Sequence, residues 1–228
     1  MTLQPVSDSA CLLQLGGPID TATAEKVQRA CNWLREQLGD AVIDLVPSYT
    51  SVLIELDPLK LSPQQACQRL ADIDAILHTQ ADQARPGQRF EIPVYYASEV
   101  GPDLSEVCSR TGLSQAELIN RHSAIDYRVF AIGFAPGFCF LGTLDTRLQL
   151  PRRASPRSQV APGSVAIAEQ QTAVYPLATP GGWHLIGRTA QDMLGLCSDP
   201  QRPLQVGDTV RFVPTTREEY VAAGGKLP

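Results

Sequence analysis

From Phe130 to Thr189 the chain concentrates glycine, proline, arginine and aromatic residues in short blocks. These are Gly133-Phe134-Ala135-Pro136-Gly137-Phe138, Pro151-Arg152-Arg153, Pro156-Arg157, Pro162-Gly163-Ser164 and Pro180-Gly181-Gly182-Trp183. Glycine permits backbone angles and close approaches that a side chain would block, while proline fixes φ and removes a donor. A helix cannot carry such a segment. It must be short strands joined by tightly specified loops, and loops of this kind are suited to holding a ligand. Helical periodicity fades after residue 125, and β-rich runs follow at Arg128–Ile132, Val165–Ala168, Thr172–Tyr175, Trp183–Ile186 and Thr209–Val213. A small barrel or sandwich over 126–216 is the predicted architecture, with 217–228 as a surface tail.

The first half reads differently. Ala10–Gly16 predicts a buried strand, and Ala24, Val27, Cys31, Leu34 and Leu38 share one face of a helix that Gly39 ends. Val42–Val46 and Val52–Leu56 predict a hairpin around Pro47-Ser48-Tyr49. Ser62, Pro63 and Gln65 form a capping box for a second helix with Leu70, Ile73 and Leu77 inside, and Phe90–Tyr96 closes the series as a strand. The order strand, helix, strand, strand, helix, strand predicts an α+β fold whose residues 1–97 form a ferredoxin-like α/β domain. Residues 98–125 then form a helical connector, with helices at Asp103–Thr111 and Ser114–His122.

Composition excludes several functions. A net charge of −5 and a pI near 5.2 argue against a broad nucleic-acid surface. No apolar run is long enough to span a bilayer, and the amino terminus lacks a secretory pattern, so a cytoplasmic protein is expected, without membrane or nucleic-acid partners. Cysteines at 11, 31, 67, 108, 139 and 197 make no CxxC pair and only His78, His122 and His184 are available, so no metal site is expected. Cys139 lies in the loop-rich segment but has no base adjacent in sequence.

Arg152, Arg153 and Arg157 put three permanent charges on a proline-stiffened loop. Guanidinium forks suit carboxylate or phosphate, so the loop either binds an anion or is knitted by these arginines to carbonyls or Asp145. Pro162-Gly163-Ser164 and Pro180-Gly181-Gly182-Trp183 form either N–H-lined anion concavities or plain β-turns. His122 ends a helix, as an acid, base or ligand contact or bonded to the last carbonyls. Gln171, Thr172 and Tyr175 face either a barrel mouth or solvent.

Read in order, His122-Ser123, Tyr127-Arg128, Gly133-Phe134-x-Pro136-Gly137-Phe138, Leu141-Gly142, Pro151-Arg152-Arg153, Pro156-Arg157, Pro162-Gly163-Ser164-Val165, Gln171-Thr172, Tyr175-Pro176, Pro180-Gly181-Gly182-Trp183 and Ile186-Gly187-Arg188-Thr189 resemble the family of 5-oxoprolinase B subunits. That family is also described as the sporulation-kinase inhibitor family and as allophanate hydrolase subunit 1. The resemblance implies a cyclophilin-like barrel in the second half and a non-autonomous enzyme component. Such a B component works with the C subunit of 5-oxoprolinase directly and with its A subunit to hydrolyse the lactam of 5-oxoproline to glutamate, using ATP with Mg²⁺ as counter-ion.

On that resemblance His122, Arg153, Arg157 and Gln171 are the expected catalytic residues. Gly137, Phe138, Arg152, Gly163, Ser164, Thr172, Tyr175, Gly181, Gly182 and Trp183 are expected to contact substrate or nucleotide. Alternatives within the resemblance are an inhibitor of a sensor histidine kinase and a urea carboxylase-related component. The chain departs from the family pattern where Cys139 replaces an expected proline, Thr143 a second glycine, and Ala166 and Glu169 common glycines.

Overall fold

The computed structural model describes residues 1–73 and 87–228, in two compact units that divide at Pro86/Gly87. The predicted stripe residue Leu77 and His78 lie outside the described residues.

In the first unit, β1 (Thr2–Pro5), β2 (Ala10–Gln14), β3 (Val42–Pro47) and β4 (Ser51–Leu56) make an antiparallel sheet in the order β1-β2-β4-β3. Helix α1 (Thr21–Leu38) is capped by Asp20, whose carboxylate accepts from Thr23 N at 2.8 Å, and it ends at Gly39 with φ +55°. Its buried Val27, Ala30, Cys31, Leu34 and Leu38 meet Leu13, Leu45, Val52 and Ile54 of the sheet in one core. Helix α2 (Pro63–Arg69) carries the predicted capping box between Ser62 and Gln65.

One expectation is corrected here. The run at 90–96 does form a strand, β5 (Arg89–Val94), but it belongs to the second unit and pairs in parallel with β13 (Thr209–Pro214). In the first unit the edge beside β2 is taken by β1. Alternation along Phe90, Ile92 and Val94 dictates a strand with one buried face. It does not name a partner, and the partner lies some 120 residues downstream. The domain boundary therefore falls at residue 86 rather than 97.

The second unit is a mixed seven-stranded sheet in the order β12-β9-β10-β7-β6-β13-β5. Its remaining strands are β6 (Asp126–Ile132), β7 (Cys139–Gly142), β9 (Ser164–Ala168), β10 (Gln171–Val174) and β12 (His184–Arg188). The sheet curls until its edges meet, because Tyr95, just past β5, exchanges two 2.9 Å backbone hydrogen bonds with Arg188 of β12. A short ribbon of β8 (Arg157–Val160) and β11 (Thr179–Gly181) stands apart. Helices α3 (Leu104–Thr111) and α4 (Gln115–Ser123) cover β12 and β13 respectively, over a core that includes Ile92, Tyr127, Val129, Leu141, Ile167, Ile186 and Phe212.

Helix α5 (Met193–Ser198) follows β12, and α6 (Arg217–Ala222) replaces the expected surface tail. Thr216 and Glu219 box its amino terminus, Tyr220 is buried against the Tyr95 ring at 5.6 Å, and its hydroxyl donates to Lys226 O at 3.0 Å. The capping box was present in the sequence. A single turn and a half of helix with one anchoring aromatic offers little periodicity to read.

Candidate functional site

Asp103 caps no backbone of α3. Its carboxylate, 2% exposed with the rest of the residue, instead gathers the proline-stiffened loop. Arg153 Nη1 donates to Oδ1 at 2.6 Å, Arg157 Nη2 to the same oxygen at 2.7 Å and Arg157 Nη1 to Oδ2 at 2.8 Å, while Leu185 N donates to Oδ2 at 2.7 Å. Glu106 stands 3.5 Å from Arg153, which brings two carboxylates to two guanidinium groups. These forks are turned inward onto the protein. Arg153 and Arg157, expected at a shared ligand, have Asp103, some fifty residues upstream, as their partner in this structure. Arg152 points elsewhere, exposed and 3.7 Å from Glu169.

Asp103, Glu106 and His184 also bring one ligand atom each within 4.8 Å of one another. The group suits a cation poorly, since four donors already fill the Asp103 oxygens and two guanidinium charges flank them. His184 Nε2 lies 2.9 Å from the Pro151 carbonyl and therefore donates to it, which knits the same loop.

His122 is fully buried, between Tyr96 and Thr172. The single hydroxyl proton of Thr172 goes to Ala166 O at 3.0 Å, so Thr172 accepts from His122 Nε2–H at 2.8 Å. Nδ1 is then the acceptor for the Tyr96 hydroxyl at 2.7 Å. The ring stacks on Phe212 at 4.7 Å, and burial pushes its pKa down to about 3. His122 and Thr172 are thus core polar groups held neutral, out of reach of a solute. Gln171 is half-buried at the start of β10, opposite Gly142 and Ala168.

The aromatic residues expected to touch substrate pack on each other. Phe138 is 2% exposed and meets Tyr175, Phe140 and Trp183 edge-on at 4.8–5.9 Å. Gly181 lies so close to the Tyr175 hydroxyl that no Cβ fits, Trp183 N–H bonds that hydroxyl, and Gly182 O accepts from Arg153 N at 2.8 Å. The Gly182 carbonyl and the Trp183 N–H are therefore engaged internally. Gly137 adopts φ +78° beneath the Met193–Leu194 backbone. Phe134 is the displayed aromatic residue of the block, 65% exposed.

A cavity of about 400 Å³ lies on another side of this unit, lined by Gly163, Arg188, Thr189, Asp192, Tyr220 and Lys226 among others. Gly163, at φ +79°, donates to Tyr175 O at 2.7 Å and accepts from Thr189 N at 2.9 Å, which leaves no room for a Cβ against Thr189 O. Ser164 is fully buried behind it. Arg188 Nη1 donates to Lys226 O at 3.2 Å, and its enclosed Nε has no partner. Among the described residues neither Arg188 nor Lys226 has a carboxylate at ion-pair distance. The volume suits a small metabolite, and the free cations suit an anionic one.

Of the sequence-derived site residues, then, Gly163 alone lines this cavity, while Arg188, Tyr220 and Lys226 are additions from the structure. Arg188 was visible in the Ile186-Gly187-Arg188-Thr189 block. Tyr220 and Lys226 were hidden in the supposed tail.

A family model described as carboxyltransferase domain, subdomain C and D, matches residues 1–204. The B subunit of 5-oxoprolinase from Bacillus subtilis is 36% identical over 96% of this chain and 95% of its own length. That of Escherichia coli O157:H7 is 38% identical over 92% and 94%. Among solved structures, TTHA0988 superposes with TM-score 0.74 at 33% identity, covering 96% of this chain but 41% of its own. The Kluyveromyces lactis urea carboxylase shares the fold, with TM-score 0.76 at 19% identity over 99% of this chain and 23% of its own. No helix among the described residues is long and apolar enough to cross a membrane.

Proposed function

The chain belongs to the family of 5-oxoprolinase B subunits, and we propose that it is the B component of an ATP-dependent 5-oxoprolinase that opens the lactam of 5-oxoproline to glutamate. One observation carries the reading: relatives bearing that name align with more than nine-tenths of this chain and of their own length. Their name also supports partner chains, the A and C subunits in this proposal, with the C subunit in direct contact.

5-Oxoproline carries a single carboxylate. In this reading it enters the cavity and pairs with Arg188, while Lys226 adds a second positive charge and the Gly163 turn shapes the wall. This chain's part is to bind and orient the ring so that its amide is presented to the partner. ATP with its Mg²⁺, when bound, supplies the phosphoryl group that activates the amide oxygen. It is assigned to the partner chains, because the arginines expected at an anionic group, Arg153 and Arg157, already bond Asp103. The cytoplasm is the compartment in which such a complex would meet both substrates.

The test mixes the purified chain with the A and C subunits, ATP and 5-oxoproline and measures glutamate. Release is expected from the complete mixture and not from the chain alone. Equal release by the chain alone overturns the shared-site reading, and silence of the complete mixture overturns the substrate.

A further inference from the structure

The six cysteines are scattered in sequence, yet the fold brings four of them together in two close pairs. Cys139 at the start of β7 and Cys197 in the last turn of α5 are 58 residues apart, with Sγ atoms at 3.7 Å. Cys139 is fully buried, and Cys197 is partly exposed where it packs on the same core. We propose that Cys139 and Cys197 are a redox-sensitive dithiol that closes to a disulfide when the chain meets a peroxide, tying α5 to β7, and reopens under thiol reductant.

Three features support it. The sulfurs already touch, and bonding them needs only a further approach of two side chains, one of them on a six-residue helix followed by irregular chain. The roles are also distinct. A hydrogen bond from Cys139 holds the Cys197 thiol below its usual pKa, while that same bond and burial push Cys139 up. The outer thiol is thus the readier nucleophile and the inner one the resolving group. Finally, Cys139 lies in the core of the second unit and Cys197 packs against that same core, so the fold holds the two sulfurs together.

The chemistry balances. The Cys197 thiolate attacks one peroxide oxygen, the S–O bond forms as O–O breaks, and hydroxide leaves. Cys139 sulfur then attacks the sulfenic sulfur, S–S forms as S–O breaks, and the second oxygen leaves as water with the Cys139 proton. The hydroxide takes up the proton that Cys197 lost in becoming a thiolate, so two thiols lose two electrons and the peroxide is reduced to two waters.

The first unit holds its own control. Cys11 and Cys67 are likewise 3.7 Å apart, but burial pushes Cys11 up to about 12 and its thiol donates to Pro63 O at 3.4 Å. That pair is expected to stay reduced at a peroxide dose that closes the other. A consequence for the cavity follows, since Asp192 both caps α5 and lines it. That consequence alone rests on the proposed function.

The test exposes the purified full chain to near-stoichiometric hydrogen peroxide, blocks free thiols by alkylation and digests with trypsin without reduction. Tryptic peptides Val129–Arg147 and Thr189–Arg211 each carry one cysteine. They are expected to be joined, short of two hydrogens, and to separate under dithiothreitol. Cys197→Ser should abolish the joined peptide while its circular dichroism matches wild type. Sulfinic acid at Cys197 with no joined peptide, or a joined peptide only from urea-unfolded chain, overturns the proposal. A joined peptide together with a silent glutamate assay sinks the activity reading and leaves the dithiol standing.

Discussion

Two groups of cations in the second unit have opposite fates. Arg157, bidentate on Asp103, and Arg153, bonded to one of its oxygens, are the pair most conspicuous in the sequence and form part of the scaffold. Arg188 and Lys226, inconspicuous by comparison, face a cavity without a carboxylate partner among the described residues. What separates them is one buried acid. A guanidinium that already shares a desolvated carboxylate with a neighbour has little left for a ligand, whereas one that meets only a carbonyl keeps its charge available.

The sharpest way to break this comparison is Asp103→Ala. It leaves two guanidinium groups and the Leu185 N–H without their acceptor, in a site where the carboxylate is 3% exposed. Removing one partner of such a buried pair costs about 3–5 kcal/mol. Urea unfolding of the variant should show a loss of that size, with Arg157→Ala losing less. If Asp103→Ala unfolds like wild type but the reconstituted activity vanishes, the arginine loop is a ligand site after all.

His122 belongs with the saturated group, and pH tests it. Its folded pKa, near 3, lies below the unfolded value of about 6.5, so between those limits the unfolded chain binds the extra proton. The stability that His122 contributes is complete above about pH 6.5. It falls by up to about 1.4 kcal/mol per pH unit as pH drops towards 3. Wild-type stability measured from pH 7 to 4 should therefore decline more steeply than that of His122→Gln. Parallel curves would mean that His122 titrates in the folded state, as an accessible acid or base would.

Arg188 gives the complementary result. Arg188→Ala should raise the substrate concentration for half-maximal activity roughly 10- to 150-fold, the equivalent of about 1.5–3 kcal/mol for a hydrogen-bonded charge. Unfolding should hardly change. A stability loss comparable to that of Asp103→Ala would place Arg188 with the scaffold and erase the contrast.

Local physics was legible in the sequence and long-range pairing was not. Capping boxes at Ser62 and Ser114 and the alternation of Phe90, Ile92 and Val94 are written in neighbouring residues, and each element formed. The sheet that received β5 depended on Val210 and Phe212, far along the chain. The surroundings of the site residues were hidden for the same reason. Arg153 and Arg157 do sit on a stiff, charged loop, but whether that charge is available depends on Asp103 in a connector. His122, Tyr175 and Trp183, which the sequence marks for chemistry, are core. Composition announces that a residue can donate or stack, not whether the fold has already used it.

The smallest expected effect sits where the arginine loop meets the barrel. Glu169 adopts φ +54°, a left-handed conformation that costs an L residue with a Cβ about 1–2 kcal/mol, at a position where the family resemblance leads one to expect glycine. Its carboxylate is 3.7 Å from Arg152 Nε, but both side chains are about 60% exposed, and such pairs contribute little. Its backbone N–H still donates to Leu150 O at 2.6 Å whatever the side chain. Glu169→Gly should therefore raise stability by about 0.5–1 kcal/mol once the added freedom of the unfolded glycine is subtracted. Urea unfolding of Glu169→Gly beside Glu169→Gln separates the two terms, because glutamine removes the charge and keeps the strain. An equal gain in both variants would assign the effect to the carboxylate charge instead of to backbone strain.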